Sequence, residues 1–378
     1  MAIMKTRAAI LTVMGAPAPY AKSRPIEIAD VELDPPGPGE VLVRMRAAGL
    51  CHSDLSVIDG NRPRPLPMVL GHEGAGVVEE LGPGVRDLAV GDHVVTAFVP
   101  SCGSCAPCVG GRPALCEPGF ASNTAGTLLS GARRLHRAGA DLQHHLGVSA
   151  FADFATVARQ SLVRVDRSLS FAQAAVFGCA VITGTGAVIN TAALPEERSV
   201  AIIGLGGVGL AALLGARYRQ AKTIVAVDLS PAKLALAKQL GATHCFNASD
   251  ANVAEAIRDA TRGGVEYAFE MAGAVKALEL AYRITRRGGT TVTSGLAHPS
   301  AQFSVQQVSL VAEERTVKGS YLGSCVPSRD IPRYIEWFQA GQLPVDRLLS
   351  GTLQLEDINT GFDRLASGEA LRQTLVLS

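Results

Sequence analysis

The chain has 378 residues, 47% of them hydrophobic and 18% charged, with a formal net charge of +1. That length calls for two domains and that composition for large buried cores, while the near-neutral balance shows no electrostatic footprint for nucleic acid or an anionic membrane. No apolar run approaches the roughly 18 residues that span a bilayer.

In chain order, Lys5 and Arg7 precede an apolar run at 8–14 that mimics a weak signal peptide; its β-rich end suits a first strand better. From there to about residue 100, short β-type runs (8–13, 41–47, 76–81, 93–98) alternate with Pro and Gly turns, and no helix-period segment interrupts them. Within this β-rich region stand Cys51-His52-Ser53-Asp54 and Gly71-His72-Glu73-Gly74, separated by the Pro-rich run 62–67, which cannot be helix and reads as an extended loop. Cys179, far downstream, completes a Cys, His, Cys set. These are borderline-soft ligands suited to zinc, and three protein ligands leave a fourth position open, the arrangement of a catalytic site. Taken alone, Cys51 and His72 also read as a buried thiol and a satisfied histidine; their surroundings favour the metal.

Four of the eight cysteines, Cys102, Cys105, Cys108 and Cys116, form a tight C-x₂-C-x₂-C-x₇-C cluster at about 100–117. Such a lobe can wrap one tetrahedral ion with four thiolates, which is a closed structural zinc site; disulfides or an iron–sulfur cluster are the competing readings. Cys245 and Cys325 are then ordinary buried thiols. Thiolate sites keep best in a reducing compartment, so a cytoplasmic location is expected. Residues 119–147 show no clear periodicity and read as one long functional or partner-facing loop.

The texture changes near residue 171, where Ala-rich helical stretches at 171–175 and 181–192 lead into a βα alternation. A buried strand at 199–203 runs into Gly204-Leu205-Gly206-Gly207-Val208-Gly209, then a helix at 210–218, a strand at 223–227, and Asp228, 19 residues past the last glycine. A lone G-x-G-x-x-G is weak evidence, but strand, helix and acid together make the dinucleotide fingerprint, with Asp228 on the ribose hydroxyls. A helix from Ser230-Pro231 to Gly241, strands at 266–270, 290–294 and near 317–322, and a helix at 275–286 complete a parallel doubly wound sheet of about six strands. A helix at 331–340 and a β-type 374–377 end the chain, which is expected to rejoin the first domain.

In these motifs the sequence resembles the zinc-dependent medium-chain alcohol dehydrogenases, in the long form shared by animal and plant enzymes, over nearly its whole length. The resemblance implies an α/β protein. A GroES-like β-rich catalytic domain would cover 1–180, a Rossmann coenzyme domain 181–320, and a segment 321–378 would return to the first domain. It implies two zinc ions per chain, the catalytic one on Cys51, His72 and Cys179, the structural one on Cys102, Cys105, Cys108 and Cys116. Asp54 matches the carboxylate that orients the ligating histidine, Glu73 the acid beside the zinc, and Ser53 the hydroxyl that takes the substrate proton. Phe98, Phe151 and Leu296 fall where the family lines its substrate pocket, Leu296 counting also on the cofactor side. Gly204, Gly206 and Gly209 match the cofactor loop, Thr183 and Val208 nicotinamide contacts, Lys233 an adenosine-ribose contact, and His52 and Arg372 the pyrophosphate positions.

Three departures qualify the match. Ser56 stands where many members have a histidine that ends the proton relay, leaving water or His52. Glu117-Pro118-Gly119 lacks the arginine of glutathione-dependent formaldehyde dehydrogenases. Arg62 replaces an apolar residue near the pocket mouth and reads as a solvated loop residue or as a handle for an anionic or polar substrate tail. The expected activity is NAD-dependent oxidation of a primary or aromatic alcohol by a homodimer (a tetramer is possible), with a small-molecule substrate and neither nucleic acid nor membrane as partner. A polyol or formaldehyde-adduct enzyme is the alternative within the fold. A non-catalytic zinc-stabilised NAD-binding protein is the alternative outside it, and one zinc per chain rather than two would favour it.

Overall fold

A computed structural model describes residues 3–377. The chain divides into two compact units, the first running up to Cys179 with Val326–Arg333 and Leu349 onward, the second comprising Ala180–Cys325 and Tyr334–Leu348. The stretch 321–378, expected to return as one piece, is therefore shared between the two units.

The first unit holds a closed barrel and a mixed sheet. The barrel runs in the order Met4–Leu11, Ile26–Leu33, Leu135–Arg137, Ala140–His144, Met68–Val69, and closes where Ile10 pairs with Val69. The sheet is centred on Glu40–Gly49, which pairs with Glu73–Leu81, with Phe154–Ala158 and, through Thr374 opposite Gly49, with Gln373–Val376. The two longest strands are buried over most of their length, with Arg44, Arg46, Glu79 and Glu80 partly exposed. Val43 and Met45 of the central strand join Leu50, Phe151 and Phe362 in one core.

The region expected to lack helix contains a seven-residue one, His52–Ile58. Two turns are too short to show as periodicity, and Leu55, Val57 and Ile58 are buried in a pattern that a strand would give as well. The stretch 119–147 is not a single loop either. It supplies the end of a helix, Glu117–Ala125, and two barrel strands, Leu135–Arg137 and Ala140–His144. Pro118 sits in the helix's first turn, where a missing N–H costs nothing, and the two strands are too short and polar to announce themselves.

The second unit is a six-stranded parallel sheet in the order His244–Asn247, Thr223–Asp228, Ser199–Ile203, Val265–Glu270, Thr285–Thr293, Thr316–Gly319. This order, stepping outward both ways from the first strand of the unit, is that of the doubly wound dinucleotide fold. Two of its elements are silent in the sequence. His244–Asn247 is a half-exposed edge strand without an apolar run, and Val253–Ala260 is a helix of only eight residues. Among the described residues, no single helix is long and apolar enough to cross a membrane.

Candidate active site

Strand register brings the first candidate ligands together. Gly49 lies opposite Glu73 in the antiparallel pair, so Cys51, two residues beyond one strand, and His72, one residue before the other, emerge at the same end. Gly71 precedes His72 at φ +92°, in the left-handed region, and a Cβ there would meet the Phe151 backbone. Thr96 then fixes the neighbourhood: its Oγ1 donates to the His72 carbonyl at 3.0 Å and accepts the Gly74 N–H at 2.7 Å. Gly178 packs against the Thr96 carbonyl with no room for a side chain, which delivers Cys179 to the same place.

One ligand atom each from Cys51, His72, Glu73 and Cys179 falls within 4.8 Å of the others, and all four residues are buried. His72 Nε2 is buried with no hydrogen-bond partner, which costs free energy unless a ligand takes its lone pair. The two thiols hydrogen-bond to each other, which holds Cys51 far below the usual thiol range, with Arg372 and His72 assisting, and pushes Cys179 far above it. Two sulfurs and an unpartnered imidazole nitrogen are a donor set for zinc, whose charge would hold both sulfurs as thiolates.

Asp54, third in the helix His52–Ile58, reaches back to this group. Its Oδ1 accepts the Gly71 N–H at 3.0 Å and lies 3.2 Å from His72 Nδ1. Burial raises the Asp54 carboxyl, but His72 and His145 outweigh it and bring it to about 2. Glu73 is pushed up by burial to about 7, with Arg372 opposing. Arg372, expected at a pyrophosphate, is 3% exposed; it donates to the Leu50 carbonyl at 2.9 Å and ion-pairs with Glu73.

The other expected residues divide. Phe98 is at the site, edge-on to His72 with centroids 5.4 Å apart. Phe151, expected in the pocket wall, has no exposed surface and packs on Phe362 in the core. Ser53 and Arg62 are partly exposed, His52 exposed. Ser56 donates its hydroxyl to the His52 carbonyl at 2.7 Å.

The four-cysteine lobe also converges, with its sulfurs within 4.8 Å of one another and no disulfide among the eight cysteines. Backbone N–H groups point at the sulfurs: those of Ser104 and Cys105 at Cys102 Sγ (3.4 and 3.3 Å), those of Cys102 and Gly119 at Cys116 Sγ (3.2 and 3.3 Å). Such donors stabilise thiolates, and the lobe fits a four-thiolate ion.

In the second unit the glycine loop takes the expected form between Ser199–Ile203 and the helix Gly207–Tyr218. Gly204 has φ +90° and a Cβ there would meet Ala272; one on Gly209 would strike the Gly204 carbonyl; at Gly206 the space is open, as a close-lying pyrophosphate would need. Asp228 accepts the Leu205 N–H at 2.6 Å and the Ser230 N–H at 2.9 Å, so it braces the loop as well as ending its strand. Lys233 lies in the first turn of the helix Pro231–Leu240, its N–H 3.4 Å from the capping Ser230 hydroxyl. Thr183 is nearly buried in Ala180–Gly186, which meets the Val208 carbonyl through Gly184; Leu296 is 47% exposed.

Sequence reasoning passed over His145. It lies 2.9 Å from Asp54 Oδ1 through Nδ1 and edge-on to His72. No spacing rule ties it to Cys51 or His72, and the stretch holding it was read as loop; the pair His144-His145 was the only signal.

Comparison with known proteins agrees with this geometry. Residues 37–167 match the family described as alcohol dehydrogenase GroES-like domain, and 207–340 the family described as zinc-binding dehydrogenase. An S-(hydroxymethyl)glutathione dehydrogenase of Synechocystis is 36% identical over 98% of this chain and 100% of its own. An alcohol dehydrogenase zinc-binding domain protein from Burkholderia ambifaria superposes with a TM-score of 0.93 at 38% identity, covering 100% of both chains. Benzyl alcohol dehydrogenase from Acinetobacter calcoaceticus gives 0.92 at 32% identity, covering 99% of this chain and 100% of that one.

Proposed function

Because the chain belongs to the zinc-dependent medium-chain alcohol dehydrogenases, we propose that it oxidises primary, including aromatic, alcohols reversibly with NAD, using one catalytic and one structural zinc per chain. The observation that carries this reading is the buried cluster of Cys51, Cys179 and a partnerless His72 Nε2. When bound, zinc supplies Lewis acidity that eases loss of the alcohol proton, and the nicotinamide accepts the hydride. Cys51, His72 and Cys179 hold the metal, and Asp54 keeps His72 in the tautomer that leaves Nε2 free. Ser53 takes the substrate proton and passes it toward His52 or water, because the Ser56 hydroxyl is committed to the His52 carbonyl. Phe98 lines the apolar side of the substrate site, and the likeness to a benzyl alcohol dehydrogenase supports an aromatic substrate.

On the cofactor side, Gly204, Gly206 and Gly209 admit the pyrophosphate, Asp228 and Lys233 hold the adenosine ribose, and Thr183, Val208 and Leu296 meet the nicotinamide. The exposed edge strand Thr316–Gly319, with Val308 and Val311 at 63% and 68% exposure, supports a homodimer, to be checked by sedimentation. Thiolate sites support a cytoplasmic location. The relative acting on S-(hydroxymethyl)glutathione supports a formaldehyde adduct as second substrate class. A spectrophotometric panel of alcohols, with and without glutathione and formaldehyde, separates the two. Two zinc ions per chain and NAD⁺ reduction with simple alcohols are expected; one zinc and no turnover would sink the proposal.

A further inference from the structure

Asp54 does more than hold His72. Its Oδ1 accepts the Gly71 N–H and faces two imidazole nitrogens, His72 Nδ1 at 3.2 Å and His145 Nδ1 at 2.9 Å. The side chains are 0% exposed at Asp54 and His72 and 2% at His145. The two rings meet edge to face, centroids 5.5 Å apart at 85°, while Phe98 abuts His72 in the same manner at 5.4 Å. His145 does not arrive there loosely. Its N–H donates to Ser149 Oγ at 3.1 Å, and Ser149 Oγ donates to the Val69 carbonyl at 2.9 Å. Leu146 and Ser149 are held at φ 51° and 57°, conformations that persist only where the surroundings impose them.

We propose that His145 is a positioning residue for the catalytic metal: its Nδ1, 2.9 Å from Asp54 Oδ1 though out of line for a regular hydrogen bond, lies with the His72 Nδ1 against that one oxygen, fixing the carboxylate between two rings and His72 in the orientation that turns Nε2 toward Cys51 and Cys179. This rests on the zinc reading of that cluster. The physical reason is economy of donors. Asp54 Oδ2 and His145 Nδ1 are both buried without an aligned hydrogen-bond partner, so Oδ1 carries all the carboxylate's hydrogen bonding among the described residues and is the acceptor that His145 Nδ1 faces. Removing the His145 ring that lies against it leaves a buried charge less compensated and frees the carboxylate to turn about its Cβ–Cγ bond. A ligating histidine whose carboxylate partner is disturbed typically loses ten- to a hundredfold in metal affinity.

The test uses the full chain loaded with zinc or cobalt(II), with chelator competition and the cobalt visible spectrum as readouts. Asn places an amide N–H where His145 has Nδ1, whereas Gln places it where the ring has Nε2. His145→Phe should weaken the catalytic site about tenfold or more and shift its cobalt bands, while the four-cysteine site keeps its metal. His145→Asn should restore affinity and spectrum nearly to wild type, and His145→Gln should not. Should Phe fail to fold, the Asn and Gln pair carries the contrast alone. Wild-type affinity in His145→Gln or His145→Phe overturns the proposal, as does equal loss of both metals, which would mark a packing role. A third zinc per chain that vanishes in His145→Phe also overturns it, placing a metal on the Asp54, His72, His145 trio itself. If wild-type protein holds no metal on Cys51 and Cys179, the zinc reading itself is what has failed.

Discussion

Replacing Cys51 by Ser or Cys179 by Ala removes one of two thiolates that would balance a dication in a buried setting. Turnover should vanish while NAD binding, measured by fluorescence titration, survives, because the glycine loop lies in the other unit. Retention of more than about a tenth of the wild-type rate, a loss under ~1.4 kcal/mol, would falsify metal-assisted chemistry. Asp228 supports a second expectation. Its carboxylate would repel a 2′-phosphate, and no arginine follows in Leu229-Ser230-Pro231. A preference for NAD over NADP of at least a hundredfold in kcat/KM, about 2.7 kcal/mol, is expected. Asp228→Ser should narrow it by weakening NAD for two reasons, since the same carboxylate also braces the Leu205 N–H. Equal use of both cofactors by the wild type would remove Asp228 from this role.

Among the elements, the four-cysteine lobe should fail differently from the catalytic cluster. Cys105→Ala takes a sulfur from a lobe with little packing of its own: Val109 and Phe120 nearby are 75% and 69% exposed. Loss of thermal stability and soluble yield should precede any change in KM, because a structural ion contributes directly to folding. An unchanged melting temperature with one zinc gone would contradict that. The elements also show where sequence reasoning reaches and where it stops. The strand Ser199–Ile203, the glycine loop and the helix capped by Ser230 and ended by Gly241 were legible because periodicity, caps and turn residues agree locally. The helix His52–Ile58 and the hairpin strands Leu135–Arg137 and Ala140–His144 were not, because each is too short, and the strands too polar, to show a period. Residue type and spacing also marked out Cys51, His72 and Cys179, which the fold brings together. His145 beside Asp54 and Glu73 beside Arg372 could not be read this way, since both pairings depend on which distant segment folds alongside.

For the molecule as a whole, acid should act through a buried histidine, His144. His144 is fully buried, accepts the Arg134 N–H at Nε2 (3.1 Å), and is held neutral: burial first, then Arg133, Arg134 and His136, lower its pKa to about 3. The unfolded chain takes up this proton near pH 6.5 and the folded one only near 3, so the unfolded state binds more protons in between. Its stabilising contribution is complete above about pH 6.5 and falls as pH drops toward 3, with a slope approaching 1.4 kcal/mol per pH unit. His144→Gln, whose amide oxygen can accept the same N–H, should flatten denaturant midpoints between pH 6.5 and 4. An unchanged slope would assign acid sensitivity to other groups.

The strand Gln373–Val376 lies inside the first unit's sheet, between Glu40–Gly49 and Gly351–Leu353, and Arg372 just before it pairs with Glu73 beside the ligands. On a ribosome making about 5–20 residues per second, some 10–40 s separate the emergence of Cys179 from that of this strand. Throughout that interval Cys51, His72 and Cys179 are synthesised but the sheet behind them has a gap and Glu73 lacks its cation. The second unit, complete by Leu348, has every strand of its own sheet before then. The proposed metal site is therefore finished late in the life of the nascent chain, after the strands of the parallel sheet are all made. A cell short of zinc would accumulate molecules competent for the cofactor before any competent for the alcohol.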